Sequence, residues 1–128
     1  MAIYQLRNLD KWVQKVGGNA EKVTRAVALQ MTNEVIARTR VDTGRARGNW
    51  HAEINSAEEK VFEFAGGGAA AIPFALSHCN KAIAEMYGHR WILTNNLSYI
   101  QKLESLDSMV RGTVLEFNHA IDAAIKNM

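Results

Sequence analysis

The apolar residues Val23, Val27, Met31 and Val35 recur every four positions, and Ala26, Leu29 and Ile36 widen the stripe, while Lys22, Arg25 and Glu34 lie off it. That period predicts an amphipathic helix from Ala20, capped by Asn19, to about Arg40. A shorter helix over Leu9 to Val16 is expected before it, capped by Asn8 and ended by Gly17-Gly18. After residue 49 the period becomes two. Trp50, Ala52 and Ile54 alternate with His51, Glu53 and Asn55, the pattern of a half-buried strand. A polar turn at Ser56-Ala57-Glu58-Glu59 and a second strand through Val61, Phe62 and Phe64, antiparallel to the first, are expected next. Gly66-Gly67-Gly68 and the following alanines read as a mobile connection.

Pro73 is expected in the first turn of a helix, where its missing N–H costs nothing, with the helix running to about Tyr87 and stopping at Gly88. Arg90 to Thr94 predict a third strand ended by Asn95-Asn96. Ser98 and Gln101 have capping-box spacing, which starts a short helix at Tyr99. Asp107 is expected to cap a last helix whose stripe is Val110, Val114, Phe117, Ile121 and Ile125. The fold class is therefore α+β: a long N-terminal helix, a small, mainly antiparallel sheet and a C-terminal helix, in a single domain over residues 1–128. A narrow sheet has edges that are usually covered or paired with a neighbour, a physical reason to expect an oligomer.

Composition refines this picture only slightly. With 48% apolar and 22% charged residues the chain can bury a core and stay soluble, and a net charge of +2 does not mark a nucleic-acid binder. Cys79 is the only cysteine, so no internal disulfide is possible and a reducing compartment, a cytosol, is expected. No apolar run approaches the ~20 residues that cross a bilayer, so no membrane partner is expected.

Chemistry-bearing patterns are sparse. Asp42-Thr43-Gly44 has the triplet of an aspartic protease, but Arg38, Arg40, Arg45 and Arg47 surround it, and nearby guanidinium groups hold a carboxylate ionised, which is wrong for a shared proton. Asp42 is better read as bracing its loop. His51, His78, His89 and His119 show no metal-ligand spacing, and nothing local marks Cys79 as an activated nucleophile, so no metal, cofactor or catalytic residue is assigned. The glycine triplet lacks the frame of a phosphate-binding loop. Trp50 and Trp91 fit the apolar face of the sheet better than a base-stacking role. The arginine cluster has three readings: a grip on phosphates, as in a small DNA-binding module using Arg38 to Arg47; a bidentate hold on a partner's carboxylates; or a helix end where cations favour the C-terminal dipole.

Three stretches carry a resemblance. Val41-Asp42-Thr43-Gly44-Arg45-Ala46-Arg47-Gly48-Asn49-Trp50 resembles the "P-V-D-T-G-R-x-R-x-S-W" stretch that follows the long first helix in a family of tailed-phage neck and tail-completion proteins, the minor tail components encoded between head and tail genes. Leu93-Thr94-Asn95-Asn96-Leu97-Ser98-Tyr99-Ile100-Gln101-Lys102-Leu103-Glu104 resembles its "I-x-N-N-L-P-Y-A-x-x-L-E", and Met109-Val110-Arg111-Gly112-Thr113-Val114 its closing "G-M-V-R-x-T-V". The three stand in the family's order. Proline is missing before Val41, Ser98 stands where the family has proline, and the family's loop after the glutamate is shortened to Ser105-Leu106-Asp107-Ser108.

The resemblance implies a non-enzymatic virion protein at the head–tail junction, assembled in the host cytoplasm. It implies a closed homo-oligomeric ring, a hexamer being the expected closure, whose partners are other neck and head-completion proteins and tail-tube or terminator proteins, with transient contact with passing DNA. On this reading Arg45 and Arg47, held by the Asp42–Gly44 turn, face a neighbouring subunit or protein, and Asn95, Asn96 and Tyr99 brace the second loop at the same interface.

Overall fold

The computed structural model describes residues 11, 14, 20–40, 44–63 and 68–126, and is α+β as the pattern predicts. The expected Leu9–Val16 helix and Asn19 cap, together with Asp42, Thr43 and Phe64, lie outside the described residues, apart from Lys11 and Gln14, which are helical. In chain order the elements are α1 (Ala20–Arg38), the single turn α2 (Arg45–Gly48), β1 (Trp50–Ile54), α3 (Gly68–Ser77), α4 (Asn80–Glu85), β2 (Trp91–Asn95), α5 (Ile100–Asp107) and α6 (Met109–Lys126).

Helix α1 forms where its apolar period predicts, but it is rotated relative to the expected stripe. Its buried seam is Ala28, Met31, Thr32, Val35 and Ile36. Leu29, expected to widen the stripe, is 40% exposed, and Ala26 is exposed too. Threonines can share this seam because their hydroxyls return to the helix: Thr32 Oγ1 donates to the Ala28 carbonyl and, just past the helix, Thr39 Oγ1 donates to that of Val35, each at 2.8 Å. Helix α6 packs against α1, with Met109, Thr113, Val114, Asn118 and Ile121 buried, so two polar side chains join the expected apolar stripe.

The sheet has two strands among the described residues, not three. β1 pairs antiparallel with β2 in the register Trp50↔Asn95, Ala52↔Leu93 and Ile54↔Trp91. The expected second strand through Val61 and Phe62 does not form, and Val61 is 52% exposed. Side-chain amides take the place of a ladder there: Phe62 N–H donates to Asn49 Oδ1 at 2.6 Å, and Lys60 N–H to Asn96 Oδ1 at 2.9 Å. Residues 57–63 therefore form an extended strap.

Pro73 lies inside α3, not in its first turn. Ala69-Ala70-Ala71, expected in a mobile connection, are helical instead, because alanine has the highest helix propensity and carries the helix back beyond the proline. The helix expected to reach Tyr87 breaks at His78-Cys79, where His78 N–H and Cys79 N–H bond the carbonyls three residues earlier. Gly88 adopts φ +82° after α4, the left-handed stop that glycine permits.

The expected Ser98 capping box is replaced by Tyr99 at the N-cap of α5, which has no side-chain cap. Nor does Asp107 cap the last helix. That role falls to Glu104, whose two carboxylate oxygens accept from the amides of Val110 and Arg111 at 2.9 and 3.1 Å, an arrangement the N-terminal dipole favours.

Two buried clusters make the core. One joins Ala28, Ala52, Cys79, Ala82, Ile83 and Met86; the other joins Val35, Ile36, Trp50, Ala75 and Met109. Leu93 of β2 packs against both, so the strand ties the two halves together.

Candidate functional site

The corner where α1 gives way to β1 is built almost entirely by hydrogen bonds to the main chain. Gly44, at φ +74°, precedes the α2 turn, and Gly48 N–H closes that turn on the Gly44 carbonyl at 2.9 Å. Arg47 folds back over the end of α1. Its Nε donates to the Thr39 carbonyl at 2.7 Å and its Nη2 to that of Ala37 at 2.9 Å. These are the carbonyls a helix leaves unsatisfied at its C-terminus, and a cation is favoured there. Trp50 Nε1 donates to the Thr39 hydroxyl at 3.0 Å from within the core. Thr39 is thus held from both sides.

The other arginines of the cluster also engage this chain. Arg40 forms a bidentate pair with Asp107, at 2.7 Å through Nε and 3.1 Å through Nη2. Arg38 bridges Glu34 and Glu116, linking α1 to α6. Of the three uses the sequence left open, the helix-end use describes Arg47; Arg38 and Arg40 pair with carboxylates of their own chain, a use outside those three. Arg45 is half-buried in α2. Asp42 lies outside the described residues, so the aspartate triplet has no described geometry.

Asn95, the last residue of β2, and Asn96 just after it meet this corner. Buried Asn95 donates from Nδ2 to the Ala46 carbonyl at 2.9 Å and accepts the Leu97 amide on Oδ1 at 3.2 Å. Asn49, also buried, donates to the carbonyls of Arg45 and Phe62 and accepts the Phe62 amide. Asn96 Oδ1 receives the Lys60 amide and lies 2.7 Å from His51 Nε2. Tyr99 differs from the asparagines in being 38% exposed. Leu106, in the last turn of α5, is 58% exposed, on a helix with no buried residue.

Asn49, His51 and Glu53 belong to this site, though only the alternation of β1 hinted at them. Their signal was positional: polar residues on the second face of a strand must be exposed or find partners. His51 is fully buried, its Nδ1 lying 2.7 Å from Glu53 Oε2. Beside it, His78 stacks on Phe62 with ring centroids 3.8 Å apart. Burial, then the neighbouring His51 and Lys60, lowers the His78 pKa. At the exposed rim the hydrogen bond between Glu58 and Lys60 lowers the pKa of the acid and raises that of the base.

Cys79 is buried, and desolvation, reinforced by the Glu53 charge, pushes its thiol up to about 12, the opposite of an activated nucleophile. Among the described residues no group of three or more His, Cys, Asp or Glu side chains is placed to hold a metal, and no helix is long and apolar enough to cross a membrane. Comparison with family models, with curated proteins and with solved structures found no match to this chain.

Proposed function

We propose that this chain is a virion structural protein of a tailed bacteriophage, a ring-forming tail-completion or neck subunit that joins the tail to the DNA-filled head. The reading starts from the ordered resemblance of three separated stretches. One structural observation supports it above the others: these stretches are tied to one another. Trp50 of the first pairs with Asn95 of the second, which also holds the Ala46 carbonyl, and Glu104 of the second caps the helix that the third begins.

In this reading Arg47, Asn95 and Asn96 fix the shape of the corner, and Tyr99 with Leu106 forms the surface it offers to a neighbouring copy. A contact between unlike patches on successive copies closes a ring when its rotation divides the circle. The subunit needs no catalytic group for that task; rigidity is what matters.

The test is a phage carrying a deletion of this gene. Electron micrographs of the lysate are expected to show filled heads and free tails that have not joined, with joining restored by the wild-type gene and impaired by Tyr99→Ala combined with Leu106→Ser. Normally joined virions from the deletion would overturn the proposal.

A further inference from the structure

His51 is fully buried, and both of its ring nitrogens face acceptors. Nδ1 lies 2.7 Å from a carboxylate oxygen of Glu53, and Nε2 lies 2.7 Å from Asn96 Oδ1. The orientation of the Asn96 amide follows from a third partner: Oδ1 also accepts the Lys60 main-chain N–H at 2.9 Å, which only the oxygen can do. Lys60 Nζ stands 3.9 Å from the same Glu53 oxygen that meets His51, and the other Glu53 oxygen accepts the Glu58 amide at 3.1 Å. An ionised Glu53 suits all three neighbours.

A neutral imidazole has one donor and one acceptor nitrogen; only the imidazolium donates from both. Without the second proton, a ring lone pair points at an oxygen lone pair across 2.7 Å. If the bare nitrogen is Nε2, rotating the Asn96 amide relieves the clash by turning its NH2 toward His51. That same rotation sets the NH2 against the Lys60 N–H, donor against donor. If the bare nitrogen is Nδ1, it faces the Glu53 carboxylate, whose other oxygen holds the Glu58 amide. In either tautomer the loss is passed to an anchor of the 57–63 strap.

We infer that His51 is a proton-operated latch: doubly protonated, it holds the strap on the second face of the sheet through Asn96 and Glu53, and loss of one proton releases the strap at Lys60. The other groups around it are consistent with this role. His78, from the break between α3 and α4, stacks on the Phe62 ring, which makes a T-shaped contact with His51 at a centroid distance of 5.9 Å. Cys79 remains a neutral thiol, so the acid facing His51 at close range is Glu53, with Glu58 further out on the strap. Asn49, which holds Phe62, does not titrate, so release begins at residues 58–60 and leaves the Phe62 end attached. The inference is independent of any role in a virion.

Imidazole spectra of the uniformly 15N-labelled full chain, followed from about pH 5 to 9, resolve His51 and count its ring protons. The expected result is two ring protons at the acid end and one at the alkaline end. Lys60 amide protection, corrected for the intrinsic pH dependence of exchange, should fall about tenfold with the His51 midpoint, as loss of one hydrogen bond implies. Ile92, in the hydrogen-bonded pair with Glu53, should keep its protection. His51→Gln should abolish the Lys60 step, and if that variant does not fold, the wild-type titration decides alone. A His51 that keeps one protonation state across the range, Lys60 protection that ignores the His51 titration, or a step that follows His78 would each overturn the inference.

Discussion

Asn95→Ala is the sharpest perturbation of the corner, because it removes a side chain whose two hydrogen bonds both end on buried residues. Asn95 Nδ2 serves the Ala46 carbonyl and Oδ1 the Leu97 amide, and Ala46 and Leu97 are themselves buried. Alanine would leave the Leu97 donor without a partner away from water, at about 1–3 kcal/mol, and the Ala46 acceptor with only the long Asn49 N–H bond at 3.4 Å. Water entering the small cavity recovers part of that, so the expected loss is about 2 kcal/mol. For a chain of 128 residues this lowers the melting temperature by roughly 8 °C and takes a sizeable share of an overall stability of about 5–15 kcal/mol. Urea denaturation monitored by tryptophan fluorescence, which reports Trp50 in the same corner, should show the midpoint falling with the slope unchanged. Asn95→Asp should cost at least as much, since it turns a carboxylate toward the Ala46 carbonyl. A loss below about 0.5 kcal/mol for both variants would refute the reasoning, because it would mean that solvent or backbone shifts satisfy Ala46 and Leu97 without Asn95.

Three further outcomes are expected. Cys79, with its thiol pushed up to about 12 and no exposure, should resist an aromatic disulfide reagent at pH 8 in the native protein and react at once in denaturant; fast labelling of folded protein would contradict its burial. The Asp107 carboxyl is held below the usual range, first by its hydrogen bond to Arg40. Its contribution to stability is complete above the unfolded value near pH 4 and disappears as pH falls through the lower folded value, so Asp107→Asn should flatten the acid side of a stability–pH curve. A Cβ at Gly112 would collide with Arg38 Nη1 and push that guanidinium away from Glu34 and Glu116. Gly112→Ala gains about 1 kcal/mol of helix propensity and loses pairs worth roughly as much, so denaturation should show little change, with the gain appearing in full when Arg38 is already alanine.

The elements that could be read from the sequence are those whose signal is local. The four-residue apolar repeat located α1, the alternation from Trp50 located β1, and Gly88 marked the stop after α4. What failed depended on competition between distant groups. Val61 and Phe62 were expected in a strand, yet asparagine side chains from positions 49 and 96 take the amides of Phe62 and Lys60. Asp107 has the chemistry of a cap, but Arg40 took it and Glu104 was nearer the free amides of α6. Pro73 reads as a first-turn residue until the alanines before it outweigh the turn signal of the glycines. At the candidate site, Asn95, Asn96 and Tyr99 were expected to brace the second loop; the partners of the two asparagines at Ala46, His51 and Lys60 lie far off in sequence, where no local pattern points. Arg47 was expected at a surface facing a neighbouring subunit; its guanidinium lies over the end of α1, and no local pattern reveals that a long side chain will turn back on its own helix.

The break between α3 and α4 has a use beyond ending a helix. By failing to continue the spiral at His78, the chain frees that carbonyl to receive the Ala52 N–H at 3.5 Å, on the side of β1 away from its partner strand. A two-stranded ribbon would otherwise offer this rail to any passing extended peptide, the first step toward uncontrolled polymerisation. A substitution that straightened residues 77–79 into one rod would withdraw the guard, and the harm would appear as turbidity in storage well before any loss of thermal resistance.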